Sequence, residues 1–503
     1  MNLLYSISTK NMTNFAKNKI RSFTVLSSFT FKLTFLLSFI FIKELYPSFF
    51  EDISYLYSKN EPRLGYGVAV TDINNDNNYE FIVAGYKYPN LILGFKNKKV
   101  INLNKNLLFA DADRSTIGVV ACDIDKDGEE EIYFLNTDTF SGKKKYGDRI
   151  LKRKNDDYID LFSLKKNLGA MNLTAGRSVA CVDRKGNNDY NIYVSNYGGP
   201  ARFYKVKNNA IIDEAKIYKL DKTTGGRAVV SGHILSNNMD IFAANERGAN
   251  FLYQNENGLY NDVAQEYGVE DLYQNGRGTA LIDFLYRGRL DIISANWQGY
   301  NRVFILRKFK FINLINPEFS EPSRVRTLIA ADFDNDGYDE IFINNLGEPN
   351  KLFKLLDNGI LTQIPLSIGA RPYDFGTGAA VADFDNDGFL ELLISNGESF
   401  AQPIKIIKAA ARDNKSFIRI KPLNFYGAPA RGATVTLITS NRKHSKTIDA
   451  GSGYLCQMEP IAHFGIRENE KIFKIIIKWT NGKENSYNVA HLNQTITVKQ
   501  VKN

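Results

Sequence analysis

The stretch Gly378-Ala379-Ala380-Val381-Ala382-Asp383-Phe384-Asp385-Asn386-Asp387-Gly388, with Glu391 just beyond, decides how this chain is read. An apolar strand of small residues runs into a turn with aspartates at alternate positions and a glycine. A second apolar strand follows and ends near Ile394-Ser395-Asn396. The unit recurs, with copies opening Gly65-Tyr66-Gly67-Val68-Ala69-Val70, Gly118-Val119-Val120-Ala121, Gly176-Arg177-Ser178-Val179-Ala180, Gly226-Arg227-Ala228-Val229-Val230, Gly278-Thr279-Ala280-Leu281-Ile282 and Arg326-Thr327-Leu328-Ile329-Ala330. The turns start at Asp72, Asp123, Asp183, His233, Asp283, Asp332 and Asp383, with gaps of 51, 60, 50, 50, 49 and 51 residues.

A period near ~50 residues suits one four-stranded blade. The expected fold class is all-β: a seven-bladed β-propeller followed by a small β-sandwich-like domain. Blades stacked around an axis bury both faces of each sheet, which explains the near-continuous apolar strands, and a closed ring hides its edges. After Asn396 only about 17 residues precede a change of pattern, so blade seven is expected to borrow a strand from residues 51–60. The expected domains are a targeting segment at 1–45, the propeller at 51–412 and the β domain at 413–503.

A chain of 503 residues, 44% hydrophobic and 13% aromatic, suits more than one strand-rich domain. The net charge of +9 is concentrated at the front. Lys10, Lys17, Lys19, Arg21, Lys32 and Lys43 face only Glu44, and the remainder is near +4. No basic stripe with interleaved aromatics stands out, so nucleic acid is not an expected partner. The basic flank Lys17–Arg21 and the apolar run Leu33–Ile42 read as an export signal. No small-x-small cleavage site follows, so residues 22–42 are equally a candidate uncleaved membrane anchor. The expected location is periplasmic, cell-surface or extracellular. Cys122, Cys181 and Cys456 make no disulfide framework and no CxxC pair. Cys122 and Cys181, in equivalent places of two repeats, are read as buried thiols.

The acidic turns carry the chemistry. Asp123, Asp125 and Asp127 with Gly128 and Glu131 form one set; Asp332, Asp334 and Asp336 with Gly337 and Glu340 a second; Asp383, Asp385 and Asp387 with Gly388 and Glu391 a third. Asp72, Asn74, Asp76 and Glu80 keep the oxygens without the glycine. Calcium takes six to eight oxygens at roughly 2.3–2.6 Å in flexible geometry. Acids at positions 1, 3, 5 and 9, with glycine permitting the bend at position 6, match that demand. Four acids packed together without a cation repel. The expected cofactor is therefore Ca2+. The acid at position 9 rather than 12, between strands rather than helices, separates these turns from an EF-hand. The turns at Asp183, His233 and Asp283 have lost the set; at the last, Arg287 is a candidate to replace the ion by pairing Asp283 and Asp291.

With these motifs quoted, the chain resembles the FG-GAP/VCBS repeats of integrin-like propellers. The connection Asn250-Phe251-Leu252-Tyr253-Gln254-Asn255, with Gly258-Leu259-Tyr260-Asn261-Asp262-Val263-Ala264, resembles that of the cartilage acidic protein family. Gly427-Ala428-Pro429-Ala430-Arg431-Gly432, Gly451-Ser452-Gly453-Tyr454-Leu455-Cys456-Gln457, His463-Phe464-Gly465-Ile466 and Lys478-Trp479-Thr480-Asn481-Gly482 resemble the ASPIC/UnbV domain. The resemblance implies an exported calcium-binding propeller with an adhesive or ligand-binding role, and brings no catalytic residue. With no Cys-rich terminal module in view, a matrix role is not carried over from animal members.

Read without the family, Phe417–Ile420, Thr434–Leu437, Phe473–Trp479 and Gln494–Val498 are strands, with a hairpin at Asn481-Gly482. His463 is expected in a Gly-rich turn, with a structural hydrogen bond. His233, His444, His463 and His491 form no triad or metal spacing, and no phosphate-binding or dinucleotide motif appears. The chain is expected not to be an enzyme; the alternatives are a propeller-based hydrolase or a lectin-like protein. The Asn-rich connections at 245–250, 296–301 and 345–350 read as structural turns whose face could still hold a glycan or peptide. The partner is an unknown protein or glycan ligand.

Overall fold

The computed structural model describes residues 48–155, 157–366, 374–410 and 415–501. The targeting segment at 1–45, its candidate anchor at 22–42 and the 412/413 boundary lie outside them. Phe49–Asn503 form one compact unit.

Among the described residues the repeats become seven four-stranded antiparallel units, six of them meanders and the seventh completed by a strand from the start of the compact unit. Their innermost strands are Gly65–Thr71, Thr116–Cys122, Gly176–Asp183, Thr223–Gly232, Gly276–Ile282, Val325–Ala331 and Gly376–Ala382. These strands pack in sequence order, and the last packs on the first, which closes the ring. The strand borrowed by the seventh unit is Phe50–Asp52, paired with Lys405–Ala409. It lies at the front edge of the 51–60 window. The third and fourth units merge into one eight-stranded sheet because Tyr190–Pro200 runs on to pair with Thr223–Gly232.

Clusters of buried side chains bind neighbouring blades. In four turns the residue after the first aspartate, Ile124, Phe284, Phe333 or Phe384, belongs to them. Phe384 meets Phe81 of the first blade at 4.9 Å, and Phe333 meets Phe50 of the closing strand at 5.2 Å. Burying a phenylalanine contributes about 1.5–3 kcal/mol, so the turns are anchored through the interblade core.

Residues 416–499 form two facing sheets, one of three strands and one of four. Ile418, Ile420 and Phe464 of the first pack with Val435, Leu437, Ile475, Ile477 and Trp479 of the second. The Asn481-Gly482 hairpin joins Ile472–Lys478 to Glu484–Tyr487.

Residues 450–459 leave this sandwich and fill the axial channel of the ring. Cys181 N donates to Ala450 O at 2.7 Å, and Thr279 and Gly453 exchange backbone hydrogen bonds at 2.9 and 2.7 Å. Tyr454 N donates to Thr327 Oγ1 at 3.0 Å. Gln457 pairs its backbone with Val68 and Val70 and its side chain with the backbone of Ala121. Glu459 N reaches Val381 O, and Arg227 reaches the Tyr454 hydroxyl. All seven innermost strands therefore touch the plug. Small residues make room for it: a Cβ on Gly67 would stand 2.1 Å from Leu455 O.

Two sequence expectations fail here. Cys122 and Cys181 are joined in a disulfide between the innermost strands of the second and third blades, 59 residues apart. Cys122 directly precedes Asp123 while Cys181 stands two residues before Asp183, so the two positions differ by one along the strand. Side chains alternate between faces, and this offset turns the two sulfurs toward each other across the gap between blades. Cys456 is a free buried thiol. His463 lies on the strand Ala462–Ile466, not in a turn. Its bond is structural as expected, Nε2 to Asn335 Oδ1 at 2.5 Å.

Unreduced peptide mapping is expected to recover Cys122 and Cys181 in one cross-linked species, with Cys456 protected until unfolding. The Cys122→Ser/Cys181→Ser double variant should lose about 2–4 kcal/mol of stability. An unchanged denaturant midpoint would reject a structural role for the bridge.

Candidate functional site

Each acidic turn bends through two residues with positive φ: Lys126 and Gly128, Asn335 and Gly337, Asn386 and Gly388. In the first blade Asn75 and Asn77 adopt the same values. Asparagine tolerates this region, which explains how that turn survives without its glycine. The first aspartate is a hydrogen-bond hub. Asp123 accepts from the backbone of Lys126, Asp127 and Gly128, while Asp332 and Asp383 accept from Gly337 and Gly388. The last acid reaches back over the turn: one oxygen of Glu80, Glu131, Glu340 and Glu391 accepts from the backbone of Ile73, Ile124, Phe333 and Phe384.

The structure gathers carboxylate oxygens of Asp123, Asp125 and Asp127, of Asp332, Asp334 and Asp336, and of Asp383, Asp385 and Glu391 to within 4.8 Å of one another. The predicted set in the first blade shares one turn, where Asp76 N donates to Asp72 and Asn74, but is not among these clusters. Burial, then neighbouring carboxylates, raises Asp123 and Asp332 to about 7. Burial likewise raises Asp383 to about 7 and Glu391 to about 8. The donors are oxygen only, as a hard cation requires. Asp125 Oδ1, Asp332 Oδ1, Asp383 Oδ1 and Glu340 Oε1 are buried without a hydrogen-bond partner, and such orphans are costly. The residues fit calcium.

The sequence reading missed a lysine inside each cluster. Lys354 and Lys408 stand directly across the strand pair from Glu340 and Glu391, and the register puts Lys152 opposite Glu131. Lys152 Nζ lies 2.6 Å from Asp127 and contacts Asp125. Lys408 Nζ lies 2.8–2.9 Å from Asp387 and Asp385 and contacts Glu391. Lys354 pairs with Asp336 and stands 3.9 and 3.7 Å from Asp334 and Glu340. One ammonium among four acids leaves each cluster negative. In the first blade that register position is Gly94, which has no side chain to offer.

The depleted turns keep the bend without the acids. Tyr286 and Gly288 have positive φ, as do Gly186 and Asn188. Arg287 pairs with Asp291 at 2.6 Å, as anticipated, but meets Asp283 through its backbone N–H. Asp240 takes over the fourth turn, accepting from Ile234, Leu235 and Ser236.

The β-sandwich docks on this turn face. Thr480 donates to Asp183, Ser445 N to Asp283, Gly465 N to Asp332 and Arg419 to Asp383. Arg431 pairs with Glu130 at 2.8 Å, and Asp339 with Lys446 and His444 at 2.6 and 2.9 Å. Burial lowers His233 to about 3 and His444 to about 4, so both imidazoles are neutral near pH 7. The Asn connections are structural turns: Asn250, Asn301 and Asn350 accept from the backbone N–H of Asn245, Asn296 and Asn345. Among the described residues no helix is long and apolar enough to cross a membrane.

Comparison with known proteins agrees with this architecture. Residues 427–503 match the ASPIC and UnbV family, and residues 283–343 and 332–394 match the FG-GAP-like repeat. Cartilage acidic protein 1 of Homo sapiens is 42% identical over 473 residues, covering 86% of this chain and 71% of that protein. The Xenopus tropicalis protein is 41% identical, covering 86% and 73%. Among solved structures, the BP39L lectin from Burkholderia pseudomallei aligns with a TM-score of 0.47 at 11% identity, over 70% of this chain and 98% of that one. From its FG-GAP repeats to its ASPIC and UnbV segment, the chain belongs to the cartilage acidic protein 1 family.

Proposed function

We propose that this chain is an exported binding module whose acidic turns hold structural calcium. One observation carries the calcium reading: three turns converge oxygen-only donors at the same place in their blades, with buried carboxylate oxygens left unpartnered. Asp123, Asp125, Asp127 and Glu131 would hold one ion, Asp332, Asp334, Asp336 and Glu340 a second, and Asp383, Asp385, Asp387 and Glu391 a third. Asp72, Asn74, Asp76 and Glu80 form a weaker fourth set. The ion supplies charge neutralisation to the turn. Its role is structural, because equivalent turns keep their shape after losing their acids. Export is supported by the disulfide, which persists in oxidising compartments, and by weak calcium sites, which suit millimolar surroundings. Binding rather than catalysis is supported by the histidines, three of which are buried in structural contacts.

Calcium is expected to raise the melting temperature over chelator, each site at tenfold its Kd adding about 1.4 kcal/mol. Asp334→Ala and Asp385→Ala should each remove one ion while the ring stays folded. A melting temperature equal in chelator and in ~10 mM calcium would sink the calcium reading.

The cross-strand lysines set the affinity. Lys354 must withdraw before an ion can enter, so Lys354→Met should tighten calcium binding about tenfold by removing a like charge from the seat. Lys351→Met is the control, since Lys351 pairs with Glu321 away from the cluster. Isothermal titration giving equal affinity for wild type and Lys354→Met would show that the ammonium does not compete.

A further inference from the structure

The end of the channel opposite the acidic turns carries a second set of charged groups. Arg177, Arg227, Arg277 and Arg326 occupy equivalent positions at the start of four consecutive innermost strands. Asp183, Asp283 and Asp332 end three of those strands or follow them directly, about 20 Å away at ~3.3 Å per residue. The guanidiniums surround the tip of the plug, Tyr454. Although Tyr454 is fully buried, which alone would raise it, the four arginines hold its phenol below the ordinary value.

From this ring we infer that the axial mouth formed by Arg177, Arg227, Arg277, Arg326 and Tyr454 binds the carboxylate or sulfate group of an acidic saccharide.

The charges do not balance without such a group. Glu246 pairs with both Arg227 and Arg277, and Glu398 with Arg326. Among the described residues no carboxylate pairs with Arg177, which donates only to the carbonyls of Thr139 and Phe140. Four cations thus share two acids. Seating Tyr454 does not account for the excess, since only Arg227 bonds its hydroxyl, at 3.3 Å. Arg177 Nε, Arg277 Nε and Arg326 Nε are buried without a partner, on residues less than a tenth exposed. Guanidinium forks match carboxylate and sulfate geometry, and they gain most where water is already displaced.

Aromatic rings fix the guanidiniums and widen the site. Phe140 lies 5.0 Å from Arg177 and 5.3 Å from Arg227, Tyr197 4.6 Å from Arg227, and Trp297 5.4 and 4.5 Å from Arg277 and Arg326. Phe140 is 62% exposed, and Tyr197 and Trp297 are partly exposed. Open aromatic faces beside oxyanion donors suit a sugar ring bearing an acidic group, since the ring stacks while its anion enters the mouth. The flanking Asn turns on the same face hold its rim rigid.

This assignment rests on the chain being a binding module and not on calcium. The test titrates the full-length protein, in calcium and in chelator, with a uronic oligosaccharide, a sulfated oligosaccharide, a neutral oligosaccharide of equal length, inorganic sulfate and a polyglutamate peptide. Calorimetry is read beside tryptophan fluorescence. The chain has two tryptophans, and Trp479 is sealed in the sandwich core, so ligand at the mouth is read through Trp297. An acidic oligosaccharide should bind and perturb the fluorescence, and the neutral one should not. Arg177→Gln leaves no acid unpaired and should weaken binding at least tenfold with the melting temperature held. Phe140→Ala, altering an exposed side chain, should weaken the oligosaccharide and spare sulfate, and it serves if Arg177→Gln fails to fold. Binding by no anion, or oligosaccharide binding unchanged by both substitutions, would overturn the site. Binding of sulfate or polyglutamate without either acidic oligosaccharide would overturn the saccharide. Loss in chelator alone would implicate the calcium turns and overturn the independence of the mouth.

Discussion

A ring of blades leaves a channel along its axis, and the rest of this structure depends on how that channel is filled. Here it is filled by protein. Residues 450–459 hydrogen-bond to innermost strands from every blade, so the ring cannot open without breaking contacts to one central segment. The small residues that open the repeats follow from this constraint. At Gly67 the plug backbone passes where a side chain would stand, and at Gly378 a Cβ would crowd Cys456 Sγ of the plug at 3.1 Å as well as Tyr66 O of the neighbouring inner strand at 2.6 Å. The β-sandwich that delivers the plug is therefore part of the propeller's core and not an appendage.

The same geometry gives the acidic turns two tasks. Their first aspartates collect backbone N–H groups, which holds the bend, and several also accept hydrogen bonds from the docked sandwich. The bend persists at Asp283 and Asp183 with few acids left, so turn shape is set by positive-φ residues and the aspartate hub. What remains for a cation is the excess negative charge at Asp123, Asp332 and Asp383, of which one lysine offsets a part. Buried ion pairs of this kind contribute little net stability but penalise misdocked arrangements.

Much of this was legible in the sequence, and the rest was not for physical reasons. The period and the Asp-x-Asp-x-Asp-Gly turns are local features, and the missing strand of blade seven followed from counting strands. The disulfide left a weaker signal: Cys122 and Cys181 lie one position out of register in adjacent repeats, and only the alternation of side chains between neighbouring blades brings them face to face. Lys152, Lys354 and Lys408 sit on ordinary strands and become site residues only through cross-strand register. The plug has no periodicity at all: Gly451-Ser452-Gly453-Tyr454-Leu455-Cys456-Gln457 reads as a loop, and only tertiary packing buries it. Arg177, Arg227 and Arg277 each follow a glycine at the start of a repeat, a pattern visible as strand openings but not as a ring.

Along the axis the inner strands are electrically polar. Aspartates gather at one end and arginines at the other, because the opening of each innermost strand, where Arg177, Arg227, Arg277 and Arg326 stand in four of them, and the turn that follows it lie at opposite ends of one strand. The sandwich brings Arg419, Arg431 and Lys446 to acids on the turn face. Docked the other way, those cations would meet the arginine ring, and like charges brought together in a desolvated interface cost several kcal/mol. The acidic end is therefore where the basic faces of the sandwich are neutralised. From the same segment the arginine end receives Tyr454, whose hydroxyl bonds only Arg227. Intramolecular docking thus places the sandwich's cations at the acidic pole of the propeller and leaves its basic pole with more guanidiniums than carboxylates, so attraction for an external anion follows from how the two parts of the chain share their charges.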